Sequence, residues 1–518
     1  MSLDQVSQNN TSMNASTPHL AKVDTFVRRS TSNDSPSLRT PRNRGLAPVE
    51  TPAAQRRYPR YVPAANLSQC LLDLFLIGGS QVVVLSLIYS RLALVGLLQA
   101  TAVVGISIVT SMILLYATGC YRRDAILNRT TALSRVPTAL AISGAVLFLV
   151  LHYGFPVLFP SARVFWSISR CVTIVLVGTG VSLGAAIISR NIVRVMLHSN
   201  FFRRRILVVG TGQRARHIED ISHAHGSLQE IHFVSEDVLT PSGQPHAADV
   251  PTIGQLTDSY SIDEIVVAVD DRSRVALDGL LACKTRGVPV TEFNSYLERQ
   301  TGRVELAWLE LPWLIHTPGF QFRLIDDAVK RFMDIVLSMT ALIISLPVLV
   351  VAMIAIRLDS PGSVIYRQQR VTRGGRVFWL YKLRSMRIDA EKNGAKWAAE
   401  NDPRITKVGN FLRRSRLDEI PQLVNILIGD MSIVGPRPER PCFVDDLSRQ
   451  LRLYDLRHTV RAGLTGWAQI NYHYGASLED AQRKLEYDLF YIKNFSLLRD
   501  LGIMLQTLRV VLWPEGVR

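Results

Sequence analysis

The sequence predicts a membrane protein with four N-terminal transmembrane helices, a Rossmann-like α/β cytoplasmic module, and a mainly helical α/β domain anchored by a re-entrant helix. Three observations lead to this prediction: four apolar runs of membrane-spanning length, a strand followed by a glycine turn, and a fifth apolar run interrupted by proline. At 518 residues the chain is too long for a single hydrophobic core. Its hydrophobic fraction of 47% and net charge of +16 fit basic cytoplasmic surfaces on a membrane protein better than a nucleic-acid binder.

The first 62 residues are rich in Ser, Thr, Asn, Pro and Arg and lack hydrophobic periodicity. Such a segment buries too little apolar surface to offset the entropy cost of ordering, so we predict a disordered basic tail over 1–62. No apolar run lies at signal-peptide distance from Met1, so no cleaved signal peptide is expected. The cysteines are scattered, without a C-x-x-C pair, and we interpret them as reduced, structural thiols. They are Cys70, Cys120, Cys171, Cys283 and Cys442.

Four apolar runs lie within 63–190, and each approaches the roughly 20 residues that cross a hydrocarbon core of about 30 Å. Arginines cluster before the first run, between the second and third, and after the fourth, which places those three sides in the cytoplasm. The alternative, buried core helices of a large soluble protein, does not explain these alternating basic flanks. The predicted runs are 67–89, 92–118, 136–159 and 172–188.

A Rossmann-like (CoA-binding-like) module is predicted over 203–300. A buried strand is followed by a G-x-G-x-x-A turn from Gly210 to Ala215, which could place a pyrophosphate at a helix N-terminus. The same glycines also serve any tight strand-to-helix turn, although Glu236 and Asp237 after the next strand offer a ribose-binding carboxylate. Because no Tyr-x-x-x-Lys pair occurs in the chain, a structural or regulatory role is favoured over cofactor binding.

The fifth apolar run, 332–357, contains Ser345 and Pro347 near its middle. Proline removes a helical hydrogen bond, so a kink or break is expected there. Arginine and lysine residues flank both ends, which a straight crossing cannot satisfy but a helix that enters and leaves on one face can. We therefore predict a re-entrant helix, with a kinked crossing helix as the alternative.

The remaining C-terminal sequence contains the residues with the clearest chemistry. Three arginines precede the adjacent carboxylates Asp418 and Glu419, and a rigid Gly-Pro turn then carries Arg437. Guanidiniums suit bidentate binding of phosphate, so Arg413 and Arg437 are candidate phosphate contacts. Nearby cations are also expected to keep Asp418 ionised at neutral pH. This combination of adjacent carboxylates and arginines predicts a site for a phosphorylated substrate.

Six ordered motifs within about 320–518 carry a family resemblance. They begin at Ser360, Tyr381, Asn401, Leu417, Gly429 and Ala462, and the last reads A-G-L-T-G-W-A-Q-I-N. Together they resemble the bacterial sugar transferases that act as polyprenyl-phosphate hexose-1-phosphate transferases, within the monotopic phosphoglycosyl transferase superfamily. The four upstream runs and the Rossmann-like module resemble the long, exopolysaccharide-initiating branch of that family.

The resemblance implies transfer of a hexose 1-phosphate from a UDP-sugar, UDP-glucose or UDP-galactose, to undecaprenyl phosphate, with release of UMP. This would be the first membrane step of exopolysaccharide biosynthesis, with Mg²⁺ as cofactor, and it places the multi-pass chain in the bacterial inner membrane with its catalytic domain (320–518) on the cytoplasmic face. Membrane lipid and the two substrates are the implied partners, and self-association is left open.

The resemblance also assigns roles to residues. It makes Asp418 a nucleophile that forms a covalent aspartyl-phosphosugar and Glu419 its partner, which helps with the metal or with proton handling. Asp418 and Glu419 are also the candidate Mg²⁺ ligands. The residues implied to bind substrate phosphate or nucleotide are Lys382, Arg384, Arg413 and Arg437. One alternative is a Rossmann-based nucleotide-sugar oxidoreductase or dehydratase, against which the missing Tyr-x-x-x-Lys counts. A second, a membrane scaffold that binds anionic lipid, leaves Asp418 and Glu419 unexplained.

Two further helices are predicted downstream. Ser477 and Asp480 form a capping-box pattern ahead of a helix with an apolar stripe. The run 497–513 is apolar but carries Arg499 and Arg509, which fits either an interfacial helix or a core helix.

Overall fold

The computed structural model describes residues 27–29 and most of 63–512. Within the latter, the structure leaves out 90–96, 123–124, 127, 159–166, 200–203, 224–228, 240–250, 272–274, 276, 321–323, 388–402, 473–474 and 476. The described chain forms two compact units, one that combines 27–29 with the described part of 195–299 and one that combines the described parts of 57–194 and 300–518.

The four predicted N-terminal runs are helices. A π-helical turn, Val150–Gly154, and the short helix Phe155–Leu158 extend the third helix without a break. Together with a later helix, these are the five described helices long and apolar enough to cross a membrane. The protein is therefore a membrane protein. The four helices are α1 Pro63–Tyr89, α2 Leu97–Ala117, α3 Arg129–Leu149 and α4 Ile168–His198.

Polar side chains join the first and fourth helices inside this bundle. Arg190 on α4 pairs with the buried carboxylate of Asp73 on α1, with 2.7 Å between Nη1 and Oδ1. Gln69 donates to both Asp73 and Ser189. Because charges inside a membrane are costly unless they are paired, this network holds α1 against α4.

The unit over 195–299 contains the Rossmann-like sheet. Its strand order is β1-β3-β2-β4-β5, and β2 to β5 are parallel. Strand β1, Val27–Arg29, pairs antiparallel with the edge of β3, so at these three residues the prediction of a disordered tail is wrong. An open strand edge recruits backbone regardless of composition. The rest of the tail lies outside the described residues.

The other elements of this unit and its border are β2 Arg204–Val209, α5 Gln213–His223, β3 Gln229–Val234, α6 Ile253–Tyr260, β4 Glu264–Val267, α7 Leu277–Thr285, β5 Val290–Glu292 and α8 Phe293–Thr301.

After the short helix α9, Leu311–His316, the fifth apolar run forms the 36-residue helix α10, Leu324–Asp359. Pro347 lies inside α10, which continues through it, so of the predicted kink or break the break is not seen. The Ser345 hydroxyl donates to the Leu342 carbonyl within the helix. Pro347 removes only the bond to the Ile343 carbonyl, and Leu342 and Leu349 on either side of that bond pack on the C-terminal domain.

One stripe of α10 packs on the C-terminal domain along most of the helix. Near its start, Arg331 donates to two carbonyls of helix α12 and Asp334 accepts from the backbone of strand β8. Near its end, Leu349 and Ile356 are buried in a cluster with residues of that domain. The other faces of α10 expose large apolar side chains, as expected for contact with lipid.

The C-terminal domain is built from short helices around two small sheets. β6 and β7 form an antiparallel hairpin, and β8 and β9 are parallel. The prediction of an apolar helix after a capping box at Ser477 is confirmed in α15. The remaining elements are β6 Ile365–Val371, β7 Val377–Leu383, α11 Lys407–Arg414, α12 Gln422–Ile428, β8 Met431–Val434, α13 Pro441–Gln450, β9 Ala462–Thr465, α14 Trp467–Asn471, α15 Leu478–Lys493 and α16 Leu497–Leu512.

Candidate active site

The adjacent carboxylates lie in a tight turn between two helices. Helix α11 ends at Arg414, and Arg416 then adopts a left-handed conformation with φ of 58°. A single 3-10 turn, Leu417–Glu419, follows and leads into α12. A non-glycine residue in the left-handed region is strained, and such strain often occurs at functional sites.

Asn425 fixes this turn against strand β7. Its side chain is fully buried, donates to the carbonyl of Trp379 at 2.7 Å and accepts from the backbone of Tyr381 at 3.0 Å. Both contacts are with the strand that carries Lys382. The helix after the carboxylates is therefore held in register with the strand that supplies a cation.

Glu419 is the centre of a cluster of cations. Its Oε1 atom accepts from Lys382 Nζ at 2.9 Å and from Arg437 Nη2 at 3.1 Å, and Arg416 Nη1 lies 3.9 Å away. Burial raises the pKa of Glu419, but Lys382, Arg437 and Arg416 together hold it well below its usual range. Glu419 is thus a fixed anion that orients Lys382 and Arg437. The structure brings these two predicted phosphate contacts together.

Asp418 is buried beside this cluster, with 6% of its surface exposed. Burial raises the pKa of its carboxyl, Lys382 opposes that rise, Glu419 adds to it, and Arg413 and Arg416 oppose it. The net direction is upward. Burial therefore outweighs the nearby cations in setting the direction of this pKa shift, and ionisation of Asp418 at neutral pH stays a prediction.

Arg384 does not join the cluster. Its side chain is buried, and its two terminal nitrogens donate to the carbonyls of Pro361 and Ser360 at 2.9 and 2.7 Å. It therefore clamps the loop that follows α10, and its predicted role in substrate binding is not supported. Strand β7 ends at Leu383, so the side-chain alternation that would point Arg384 the same way as Lys382 stops one residue earlier.

Close backbone packing holds the loop that carries Arg437. A Cβ atom at Gly435 would lie 2.4 Å from the carbonyl oxygen of Arg461, and one at Gly463 would lie 2.1 Å from the Gly435 nitrogen. Only glycine permits this approach between the two segments. The A-G-L-T-G motif that begins at Ala462 thus supports the Gly-Pro-Arg turn.

A buried ion pair behind that loop was not predicted from the sequence. Arg457 Nη2 donates to the carbonyl of Arg437 at 2.9 Å and to Asp488 Oδ2 at 3.0 Å. Burial raises the pKa of Asp488 to about 6, although Arg457 opposes the rise. A signal for the burial of Asp488, though not for its partner, was available, since it lies between Leu485 and Leu489, which are both buried.

The glycine turn of the Rossmann-like module already holds a carboxylate. Asp270 accepts from the backbone nitrogens of Gln213 and Arg214, at 2.8 and 3.2 Å, at the N-terminus of α5. A Cβ atom at Gly212 would lie 2.1 Å from Asp270 Oδ2. The side chain therefore occupies the place where a pyrophosphate would bind. At the predicted ribose position, Asp237 accepts from Ser235 within its own turn. These contacts favour the structural role of the turn.

The fit of Mg²⁺ can be judged from the available carboxylates. Among the residues that the structure describes, no group of three or more His, Cys, Asp or Glu side chains could hold a metal ion. Asp418 and Glu419 provide two adjacent carboxylates, one oxygen of which is taken by Lys382 and Arg437. Magnesium commonly binds through one or two carboxylates together with substrate phosphates. The residues present fit an ion that binds with a diphosphate substrate.

Comparison with known proteins gives a consistent result. Residues 325–514 match the family model described as bacterial sugar transferase. An N-acetylgalactosaminephosphotransferase from Aeromonas hydrophila, named for UDP-N-acetylgalactosamine and undecaprenyl phosphate, is 40% identical over 242 residues, 46% of this chain and 56% of that protein. A UDP-glucose:undecaprenyl-phosphate glucose-1-phosphate transferase from Escherichia coli (strain K12) is 43% identical over 185 residues, 35% of this chain and 40% of that protein.

These two alignments span about half the length of the relatives, 56% and 40%. An exopolysaccharide production protein from Rhizobium leguminosarum bv. phaseoli is 38% identical over 192 residues, which are 35% of this chain but 94% of that protein. Nearly the whole Rhizobium protein is therefore matched. The chain belongs to the bacterial sugar transferase family.

Proposed function

We propose that this protein transfers a sugar 1-phosphate from a UDP-sugar to undecaprenyl phosphate and releases UMP, as a first membrane step of exopolysaccharide biosynthesis. The observation that carries the proposal is the buried carboxylate of Asp418 next to Glu419, whose Oε1 holds Lys382 and Arg437 in place. Two positioned cations can bind a diphosphate while a carboxylate attacks it. The names of the relatives support the same substrates.

In the first step, a carboxylate oxygen of Asp418 attacks the phosphorus that carries the sugar. A new P–O bond to Asp418 forms, and the bond from that phosphorus to the bridging oxygen of the diphosphate breaks. UMP leaves with the bridging oxygen and the electron pair. Lys382 and Arg437 stabilise the charge that develops on the phosphate oxygens.

In the second step, an oxygen of undecaprenyl phosphate attacks the same phosphorus. The P–O bond to Asp418 breaks, which restores the carboxylate and yields the lipid diphosphate sugar. The two bulky anions need not occupy the site together, because UMP can leave before the lipid phosphate enters. Ping-pong kinetics follow from this order.

The metal ion and the sugar of the donor are proposed from the chemistry of the site and from the names of the relatives. Asp418 and Glu419 would hold Mg²⁺ together with the diphosphate, and the ion would neutralise charge on the phosphate oxygens when bound. The sugar is a hexose or an N-acetylhexosamine, since the names of two relatives specify glucose and N-acetylgalactosamine. The residues themselves do not identify the hexose, and UDP-glucose and UDP-galactose are the donors that the family resemblance implies.

We also propose that α10 is re-entrant and that the active site lies on the cytoplasmic face. Both ends of α10 contact the same C-terminal domain, through Arg331 and Asp334 at one end and through Ile356 at the other. A helix that crossed the membrane would separate its two ends by the full bilayer. Basic residues at both ends support the cytoplasmic assignment.

The alternative of a Rossmann-based oxidoreductase is disfavoured by Asp270. A carboxylate that already caps α5 would repel the pyrophosphate of a nicotinamide cofactor and occupy its place. The chain also lacks a Tyr-x-x-x-Lys pair.

The proposed function is tested with the full chain in membranes. Incubation with undecaprenyl phosphate, Mg²⁺ and a panel of UDP-glucose, UDP-galactose and UDP-N-acetylgalactosamine should release UMP with at least one donor. Asp418→Asn, which keeps the shape of the side chain but removes its nucleophilic charge, is the control and should release none. Oxidation or reduction of a nicotinamide cofactor without UMP release would instead support the oxidoreductase.

A further inference from the structure

Helix α16 supports the active-site loop from behind. Ile503 is buried in a cluster with Val434, the last residue of β8, and with Ile470. On the same helix, the hydroxyl of Thr507 lies 2.8 Å from that of Thr465 at the end of β9. The loop that carries Arg437 begins directly after β8. α16 is therefore packed directly against the layer from which that loop extends.

Another part of α16 contacts the transmembrane helix α2. A Cβ atom at Gly502 would lie 2.8 Å from the Tyr116 hydroxyl, so the two helices approach closely at this glycine. Four residues later, Gln506 Nε2 donates to the same hydroxyl at 3.3 Å. Just beyond α2, Arg122 Nη1 donates to Asn471 at 3.1 Å. The four-helix region is thus joined to the C-terminal domain through specific contacts.

The same helix is also linked to α10. Asp500 forms an ion pair with Lys330 near the start of α10 and accepts from the hydroxyl of Tyr491 at 2.9 Å. The Asp500 side chain is 4% exposed and that of Lys330 is 12% exposed, so water screens this pair little. α16 therefore contacts both membrane-embedded parts of the chain and the layer behind the active site.

We propose that α16 fixes the depth of the active site relative to the bilayer, and that Tyr116 and Gly502 are positioning residues for the lipid acceptor. This inference rests on the proposed function. A UDP-sugar arrives from water and can approach a site at any height above the membrane. The phosphate of undecaprenyl phosphate lies at the headgroup level, because its chain is held in the hydrocarbon core. Only the second step therefore depends on the depth of Asp418.

The test compares Tyr116→Ala and Gly502→Leu with the unmodified full chain in nanodiscs of phosphatidylethanolamine and phosphatidylglycerol. UMP release without acceptor lipid, in a single turnover, should stay close to the unmodified value. The KM for undecaprenyl phosphate should rise by about two- to thirtyfold, the range expected when a coupling contact is lost. A short, detergent-soluble polyprenyl phosphate should be used equally well by all three proteins, because its depth is not fixed.

Tyr153→Ala is the matched control, since Tyr153 lies in the same four-helix region but is 64% exposed. If Gly502→Leu fails to fold, Tyr116→Ala still decides the question, because Tyr116 lies outside the C-terminal domain. An unchanged KM for undecaprenyl phosphate in Tyr116→Ala would overturn the inference, and so would an equal loss in both steps. Failure of the unmodified chain to release UMP would instead overturn the proposed function on which the inference depends.

Discussion

Replacement of Arg457 by Met should weaken both the fold and the active site. The side chains of Arg457 and Asp488 are 7% and 3% exposed, so the substitution leaves a buried carboxylate without its partner. Removing one member of a buried ion pair costs about 3–5 kcal/mol of unfolding free energy. Loss of the bond from Arg457 to the Arg437 carbonyl removes a charged hydrogen bond of about 1.5–3 kcal/mol. If the whole energy of this hydrogen bond serves to position Arg437 in the transition state, kcat/KM for UMP release should fall by about 10- to 150-fold.

The loss of stability caused by Arg457→Met should increase with pH. Burial already raises the pKa of Asp488 to about 6, and loss of Arg457 raises it further. A raised folded-state pKa gives stability that is fully present below the unfolded value of about 3.9 and is lost as the pH rises through the folded value. The stability difference between Arg457→Met and the unmodified chain should therefore be larger at about pH 8 than at about pH 5.5.

Thermal unfolding and single-turnover UMP release, both in detergent, measure these two effects. Arg483→Met is the control, because Arg483 is 40% exposed and its partner Glu486 keeps a second cation, Arg303, at 3.5 Å. Loss of Arg483 therefore leaves no buried carboxylate without a partner. The double variant Arg457→Met/Asp488→Asn should recover part of the lost stability. Equal stability and equal UMP release in Arg457→Met and Arg483→Met would refute the reasoning.

Three further predictions concern protonation, topology and the Rossmann-like module. Since burial raises the pKa of Asp418, UMP release should decline on the acid side at a pH above the usual aspartate value of about 3.9. Lys382→Met removes a cation that lowers this pKa, so a pH–rate profile should show the acid limb at higher pH; no shift would contradict this. Single cysteines at positions 328 and 360 should react with an impermeant reagent from the same membrane face, and labelling from opposite faces would exclude a re-entrant α10. Asp270→Ala should lower stability by about 0.5–2 kcal/mol, and millimolar phosphate should restore thermal stability in this variant alone. Equal stabilisation of the unmodified chain by phosphate would show that Asp270 does not close the turn.

The transmembrane runs and the carboxylate pair could be predicted because their signals are local. Twenty apolar residues with basic flanks leave few alternatives to a membrane helix. The same applies to the helix after Ser477, where the capping box is visible within four residues. The motif around Asp418 indicated both the residue types and their order along the chain.

The remaining features depend on contacts between distant segments. The cations near Asp418 could be counted from the sequence, but the burial that outweighs them could not. The resemblance implies a substrate contact for Arg384 as well as for Lys382, but the strand ends between the two residues and Arg384 donates to backbone carbonyls instead. Pro347 indicated a break, but α10 continues as one helix while packed on the C-terminal domain. The pairing of Arg457 with Asp488 joins positions 31 residues apart, and no local pattern specifies it.

The central claim is that the reaction proceeds through a covalent phosphosugar on Asp418, and mass spectrometry of the peptide that contains this residue tests it most directly. The full chain is incubated with UDP-sugar and Mg²⁺ in the absence of undecaprenyl phosphate, then quenched and digested. We expect a hexose-phosphate adduct on the peptide that contains Asp418, and no adduct with Asp418→Asn, whereas Glu419→Gln should form it more slowly. Absence of the adduct in the unmodified chain, together with sequential kinetics in full turnover, would contradict the account and favour direct transfer with the carboxylates as general base.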